Sequence, residues 1–261
     1  MKKFISILTS NTSLYIFGIF FVFLVWFFIS LSQGYGNLVF PDPWTTLIKT
    51  GGLLSRSYIY KCVGWTFLRT LIAFAIAFLS ALILGLLAGN FPKLATFLKP
   101  IITVLKSAPT AAFVFLFLVI SGTRYAPIYI VFILSFPILY ESFVGGIKNI
   151  PQEIKDALKV DTGSIFQSFF RVKLPLAMPY VLVGLASSFA LSFKTSIMAE
   201  IVAGDTNYGL GCAINAYRSE NPVDLTPIFA VALIAVAIIL IIDLISYIIK
   251  KIMNKPITNQ N

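Results

Sequence analysis

The sequence predicts an all-α integral membrane protein with about six transmembrane helices. Hydrophobic residues make up 58% of the 261 positions and charged residues only 11%, and the mean hydropathy is +0.92. An ordinary soluble domain carries about 45–50% apolar and about 25% charged residues, so a water-soluble fold would have too few charges to cover itself. The apolar residues gather in runs of roughly 20, the length that crosses a hydrocarbon core of about 30 Å. Alternation of period two is absent, which argues against a β-barrel.

The first expected span is 14–31. Lys2 and Lys3 precede it as in a secretory signal, and Ser30-Leu31-Ser32 loosely resembles a cleavage site. The run exceeds the roughly 7–15-residue core of a signal peptide and holds Trp26-Phe27-Phe28, so a retained signal-anchor helix is expected. Residues 32–65 are interrupted by Pro41, Pro43, Gly51 and Gly52. Within them 47–54 and 58–63 read as short interfacial helices, with Trp44, Tyr58, Tyr60 and Trp65 available for an aromatic belt. The remaining spans are expected at 66–88, 101–120, 126–145, 179–203 and 226–249. Ser107 and Pro109 interrupt the third and predict a kink there. This gives an N-terminal arm at 1–13, a single membrane domain at 14–250 and a short polar tail at 251–261.

Orientation follows from the cations. With the N-terminus in the cytoplasm, Lys2, Lys3, Lys93, Lys99, Lys106, Lys148, Lys155, Lys159, Arg171, Lys173, Lys250, Lys251 and Lys255 fall at or near the inner face. These are 13 of the 20 Lys and Arg residues, the bias of the positive-inside rule. Lys49, Arg56, Lys61, Arg69, Arg124 and Arg218 fall outside, and Lys194 falls within the fifth span. The net charge of +10 is thus a topology signal spread over short loops, and no nucleic-acid partner is needed to explain it. Cys62 and Cys212 show no metal-ligand spacing; both fall near the expected outer face, as buried inert thiols or as a disulfide.

The segment between the fourth and fifth spans, 148–173, is too polar for lipid and too long for a simple turn. It reads as a hairpin of two short helices. Asn149-Ile150-Pro151-Gln152 and Ser164-Ile165-Phe166-Gln167 each offer a capping-box pattern, and Val160-Asp161-Thr162-Gly163 supplies a turn between them. Phe166, Phe169 and Phe170 fall at spacings of three and four, an apolar face. That face could fold back on its own bundle, lie at the lipid interface, or fit a groove on a partner protein.

Asp156-Ala157-Leu158, then Thr162-Gly163-Ser164, then Val172-Lys173-Leu174-Pro175 resembles the EAA loop of ABC importer permeases. That pattern runs Glu-Ala-Ala, three residues, Gly, nine residues, Ile, any residue, Leu-Pro, and its spacing fits from Asp156 to Pro175 without a gap. Asp156 stands for the Glu, Leu158 for the second Ala, and Thr162 where Gly is expected, with Gly163 next. Four further fragments, spread over 66–211, are similar to permeases of the nitrate/sulfonate/taurine group, which also includes importers of pyrimidine precursors. They are Phe67-Leu68-Arg69-Thr70, Leu105-Lys106-Ser107-Ala108-Pro109, Phe136-Pro137-Ile138-Leu139, and Met198-Ala199-Glu200-Ile201 followed by Gly209-Leu210-Gly211.

The resemblance implies a multi-pass permease of the bacterial inner membrane, with both termini cytoplasmic. It further implies a second permease copy, cytoplasmic ATPase subunits and an extracytoplasmic solute-binding protein as partners. The hairpin would seat in a cleft on each ATPase through Asp156, Ala157, Thr162, Gly163, Phe166, Phe169, Phe170 and Pro175. Asp156 could equally be a solvated acid between Lys155 and Lys159. The implied solute is a sulfonate, nitrate or a pyrimidine precursor.

Within the spans, Glu141, Lys194, Glu200 and Asp243 are candidates for function, because ionisable groups are costly there. Glu141 and Asp243 lie near span ends and read mainly as structural. Lys194 and Glu200 are six residues apart, so they are not an i,i+4 pair and each needs another partner. Either could face the pathway, where a lysine would suit an anion, or Lys194 could snorkel to the interface. The sequence has no His, no HExxH and no GxxxxGK[ST] loop, so no catalysis, metal site or cofactor is expected on this chain. A transporter that needs no ATPase is the alternative, but it leaves the EAA-like hairpin unexplained.

Overall fold

A computed structural model describes residues 11–32, 40–160, 165–204 and 208–253, and every regular element among them is helical. In chain order these are α1 (Asn11–Ser32), α2 (Pro43–Leu54), α3 (Ser57–Asn90), α4 (Pro92–Ser107), α5 (Thr110–Lys148), α6 (Gln152–Val160) and α7 (Ile165–Ser168). A π-helical turn, Phe169–Lys173, leads into α8 (Leu174–Ala203), followed by α9 (Leu210–Glu220) and α10 (Thr226–Met253). Among the described residues four helical stretches are long and apolar enough to cross a membrane: Ser57–Asn90, Thr110–Lys148, Phe170–Ala203 and Thr226–Lys251.

Contacts gather in two compact units. One holds the described residues up to Tyr60 together with Ala213–Ala235, and the other holds the described residues of Lys61–Cys212 and those from Val236 onward.

In the first unit, Asp42 opens α2. Its carboxylate accepts from the Thr45 backbone N–H at 2.9 Å and from the Thr45 hydroxyl, and Pro43 occupies the first turn. This is a capped N-terminus with proline where no N–H is missed. The Trp26 indole N–H donates to the Pro41 carbonyl at 3.0 Å, and Phe229 packs against both Trp26 and Phe40. Asp224 plays the capping part for α10, accepting from the Thr226 N–H at 3.0 Å.

Two expectations for the helices need correction. Residues 58–63 are not a separate interfacial helix but the opening of α3, because no proline stands between Ser57 and Asn90 to end it. The third expected span, 101–120, is not one helix. Its first part closes α4 and its second opens α5, with Ala108 extended at φ −70°, ψ 137° before Pro109. Proline disfavours the helical conformation in the residue ahead of it and lacks an N–H, so the helix stops there. A second break falls inside α5, where Gly122 adopts φ 71°, ψ 175°, a conformation that only glycine reaches without strain.

Packing fixes helix directions within the second unit. A Cβ on Gly85 would lie 2.6 Å from the Phe143 Cβ, and one on Gly89 would lie 2.9 Å from the Ile147 Cβ, so α3 and the second part of α5 run parallel. The Ser135 and Ser192 hydroxyls meet at 2.5 Å, and a Cβ on Gly146 would lie 2.9 Å from that of Ala177. α8 therefore runs antiparallel to α5. Small residues let these backbones approach closely, the packing mode favoured where lipid supplies no hydrophobic drive. Because α3 and the end of α5 are parallel, residues 92–121 must carry the chain back between them.

Candidate functional site

A cavity of about 390 Å³ opens in the second unit. Leu105, Lys106 and Thr110 line it from the α4–α5 break, Leu134, Pro137 and Ile138 from α5, and Leu191, Lys194, Thr195 and Met198 from α8. The α8 residues recur at i, i+3, i+4 and i+7, and the α5 residues at i, i+3 and i+4, so each set occupies one helical face. The wall is mostly apolar, with two cations and two hydroxyls projecting from it.

The two lysines differ in their company. Lys106 Nζ donates to both oxygens of Glu141, at 2.9 and 2.7 Å, and both side chains are about half exposed. Among the described residues Lys194 has no such carboxylate partner. It stands exposed on the cavity face of α8.

Glu200, the other charged residue singled out in the fifth span, does not line this cavity. It is fully buried and held from several sides. Arg69 Nη1 donates to Oε1 at 2.9 Å, the Thr66 hydroxyl donates to Oε2 at 2.8 Å, and the Gly211 N–H donates to Oε2 at 3.1 Å. Arg69 also donates to the Tyr208 carbonyl at 2.7 Å, and the Leu210 N–H donates to the Thr66 hydroxyl oxygen at 2.8 Å. A Cβ on Gly209 would lie 2.6 Å from Glu200 Oε2, and one on Gly211 would lie 2.5 Å from the Ile197 carbonyl oxygen. Both glycines are needed for this close approach.

The sequence fragments thus acquire distinct places. Phe67–Thr70, Met198–Ile201 and Gly209–Gly211 meet at the buried carboxylate, while Leu105–Pro109, Phe136–Leu139 and Met198 border the cavity. Sequence reasoning did not pair Arg69 with Glu200 or Lys106 with Glu141. These partners lie 131 and 35 residues apart, so helical spacing carries no signal for either pair.

The expected coupling segment is only partly described. Asp156 and Ala157 are exposed on α6, and the Gln152 side-chain amide donates to Asp156 at 3.1 Å. Asn149 closes α5 instead of opening α6, its N–H donating to the Gly145 carbonyl at 3.0 Å. Thr162 and Gly163 lie outside the described residues, as do the side chains of Phe166 and Phe169. Phe170 is exposed in the π-helical turn, and Pro175 is exposed in the first turn of α8. Lys173, at the end of the π-helical turn, donates to the Asn90 side-chain carbonyl at the end of α3. Cys62 and Cys212 are both buried thiols. Asp243 is exposed on α10, and Lys250 donates to the Ser187 hydroxyl at 2.8 Å.

Residues 81–255 match the family described as binding-protein-dependent transport system inner membrane component. The chain belongs to that family. It is 31% identical over 217 residues to the bicarbonate transport system permease protein CmpB of a Synechocystis species, covering 78% of this chain and 76% of the relative. It is 29% identical over 209 residues to the nitrate import permease protein NrtB of the same genus, covering 76% and 74%. Among solved structures, the inward-facing MetNI methionine ABC transporter shares the fold with a TM-score of 0.61 at 17% identity, over 76% of this chain and 95% of that one. An amino acid ABC transporter does so with a TM-score of 0.63 at 16% identity, over 77% and 96%.

The chain is therefore a permease subunit of an ABC importer, a multi-pass membrane protein and not an enzyme. ATP hydrolysis belongs to a partner ATPase, and membership of the family implies a solute-binding protein as a further partner.

Proposed function

We propose that this permease forms half of a pathway for a small anion, paired with a second copy of itself and driven by ATPase subunits seated on 148–175. The observation that carries the anion reading is the cavity, where Lys194 projects from a largely apolar wall with no carboxylate partner among the described residues. An unneutralised cation in such a wall is costly unless water or a solute answers it. Relatives named for bicarbonate and nitrate support the same class of solute.

The ends of α3 and α5, where Asn90 and Lys148 lie, form the cytoplasmic end in this reading, which matches the cations at Lys93, Lys148, Lys155 and Lys173. Closure of the ATPases would move α6 and the segment after it. Lys173 ties that segment to Asn90, so the motion would reach α3 as well as α8.

The test is ATP-dependent uptake into inside-out-corrected membrane vesicles or intact cells that carry the permease with its ATPase and binding protein. Bicarbonate, nitrate, a sulfonate and a pyrimidine precursor are offered in turn. An anion should be taken up, and Lys194→Gln should lower its uptake. Uptake of the uncharged pyrimidine alone would overturn the anion reading.

A further inference from the structure

The cavity charges admit a count. Lys106 and Lys194 both line it, and Glu141 holds Lys106 through two hydrogen bonds. Glu200, the remaining acid on α8, is fully buried and matched by Arg69, so it adds no net charge to the cavity. Among the described residues, two lysines and one carboxylate leave a formal charge of +1.

We propose that this single net charge selects a monovalent anion, which enters beside Lys194 and competes with Glu141 for Lys106. The inference rests on the anion reading above and specifies the valence within it. The Lys106–Glu141 pair suits such an exchange. It is about half exposed, so Lys106 can turn from the carboxylate to a solute without either group being stranded in a dry interior. Lys106 also sits in the last turn of α4, just ahead of the break at Ala108 and Pro109, where the helix stops. A monoanion brings the cavity to neutrality, whereas a dianion would leave a net negative charge in a mostly apolar wall, which is unfavourable.

Charge counting makes a prediction that a purely structural role does not. Lys106→Gln and Lys194→Gln each bring the empty cavity to zero. Each should lower ATP-dependent uptake of labelled nitrate or bicarbonate at least tenfold, about 1.4 kcal/mol of lost attraction. Adding Glu141→Gln to either variant returns the count to +1 and should recover most of the lost uptake. Measuring detergent-solubilised yield and Tm alongside separates loss of uptake from loss of fold.

If the double variants transport no better than the single ones while remaining folded, the charge count is wrong even though the anion reading stands. If the unaltered complex takes up neither anion, the anion reading fails and takes the count with it. Should a single variant fail to fold, the double variants and Glu141→Gln decide. Glu141→Gln raises the count to +2, and sulfate should then compete with the monoanion at least tenfold better than in the unaltered permease.

Discussion

Arg69–Glu200 and Lys106–Glu141 are both cation–carboxylate pairs between helices of one unit, at 2.9 and 2.7 Å. Distance does not distinguish them, but surroundings do. Glu200 is fully buried and accepts from a guanidinium, a hydroxyl and a backbone N–H, whereas Glu141 is half exposed and is held by one lysine. A buried pair with its remaining lone pairs satisfied is committed to one geometry. A half-exposed pair can be exchanged for water or a solute at little cost. On the charge count proposed above, the difference separates a carboxylate that holds the fold from one that takes part in transport.

The sharpest way to break this comparison is to remove one partner of the buried pair. Glu200→Ala strands Arg69 and leaves the Thr66 hydroxyl and the Gly211 N–H without their acceptor, a class of change that costs about 3–5 kcal/mol. The expected result is a large fall in Tm and in the yield of folded permease. Arg69→Met with Glu200→Met should recover much of that loss, because an apolar pair leaves no charge stranded. A Glu200→Ala protein as stable as the unaltered one would remove the distinction between the two pairs.

Gly211→Ala tests the same knot without touching a charge. The added methyl would sit 2.5 Å from the Ile197 carbonyl oxygen and 2.6 Å from the Glu200 Cβ, so α8 or α9 must shift. Overpacking of this kind costs about 1–3 kcal/mol. Thermal unfolding should place this variant between Glu200→Ala and the unaltered chain, and no loss at all would mean that the two helices are not held at this separation.

Much of this architecture was legible in the sequence. Composition alone required a membrane, and the spans expected at 66–88, 126–145, 179–203 and 226–249 all lie inside α3, α5, α8 and α10. The break at Pro109 was also visible, because proline acts through its own covalent geometry. What stayed hidden depends on tertiary context. Gly122 breaks α5 and Gly145 within the same helix does not, although the residue type is the same. Glu200 was recognisable as a group in need of a partner, but nothing local could name Arg69. Asp42-Pro43-Trp44-Thr45 did carry a readable start signal, an N-cap followed by proline, and reading the prolines only as interruptions obscured it.

The half-exposed pair predicts a split between stability and transport. Glu141→Gln should change Tm little, since exposed ion pairs contribute about 0–1 kcal/mol. The same substitution should alter which anions compete for uptake. A fall in Tm as large as that of Glu200→Ala would show that Glu141 holds the fold after all.

The most local effect belongs to a third kind of carboxylate, the helix cap. Hydrogen bonds from the Thr45 hydroxyl and then from the Thr45 backbone N–H hold the Asp42 carboxyl below its usual value. A lowered folded-state value means that the carboxylate stabilises the fold at pH above the ordinary carboxylate range, about 4. That contribution is lost as the pH falls through the lowered value, because the protonated acid no longer caps as an anion. Asp42→Ala should therefore weaken α2 by about 1 kcal/mol near neutral pH. Amide hydrogen exchange of Thr45 and Thr46 should speed up in this variant at pH 7, and the difference from the unaltered chain should shrink as the pH is lowered past 4. A difference that stays constant across that range would mean that the cap acts through shape alone and not through its charge.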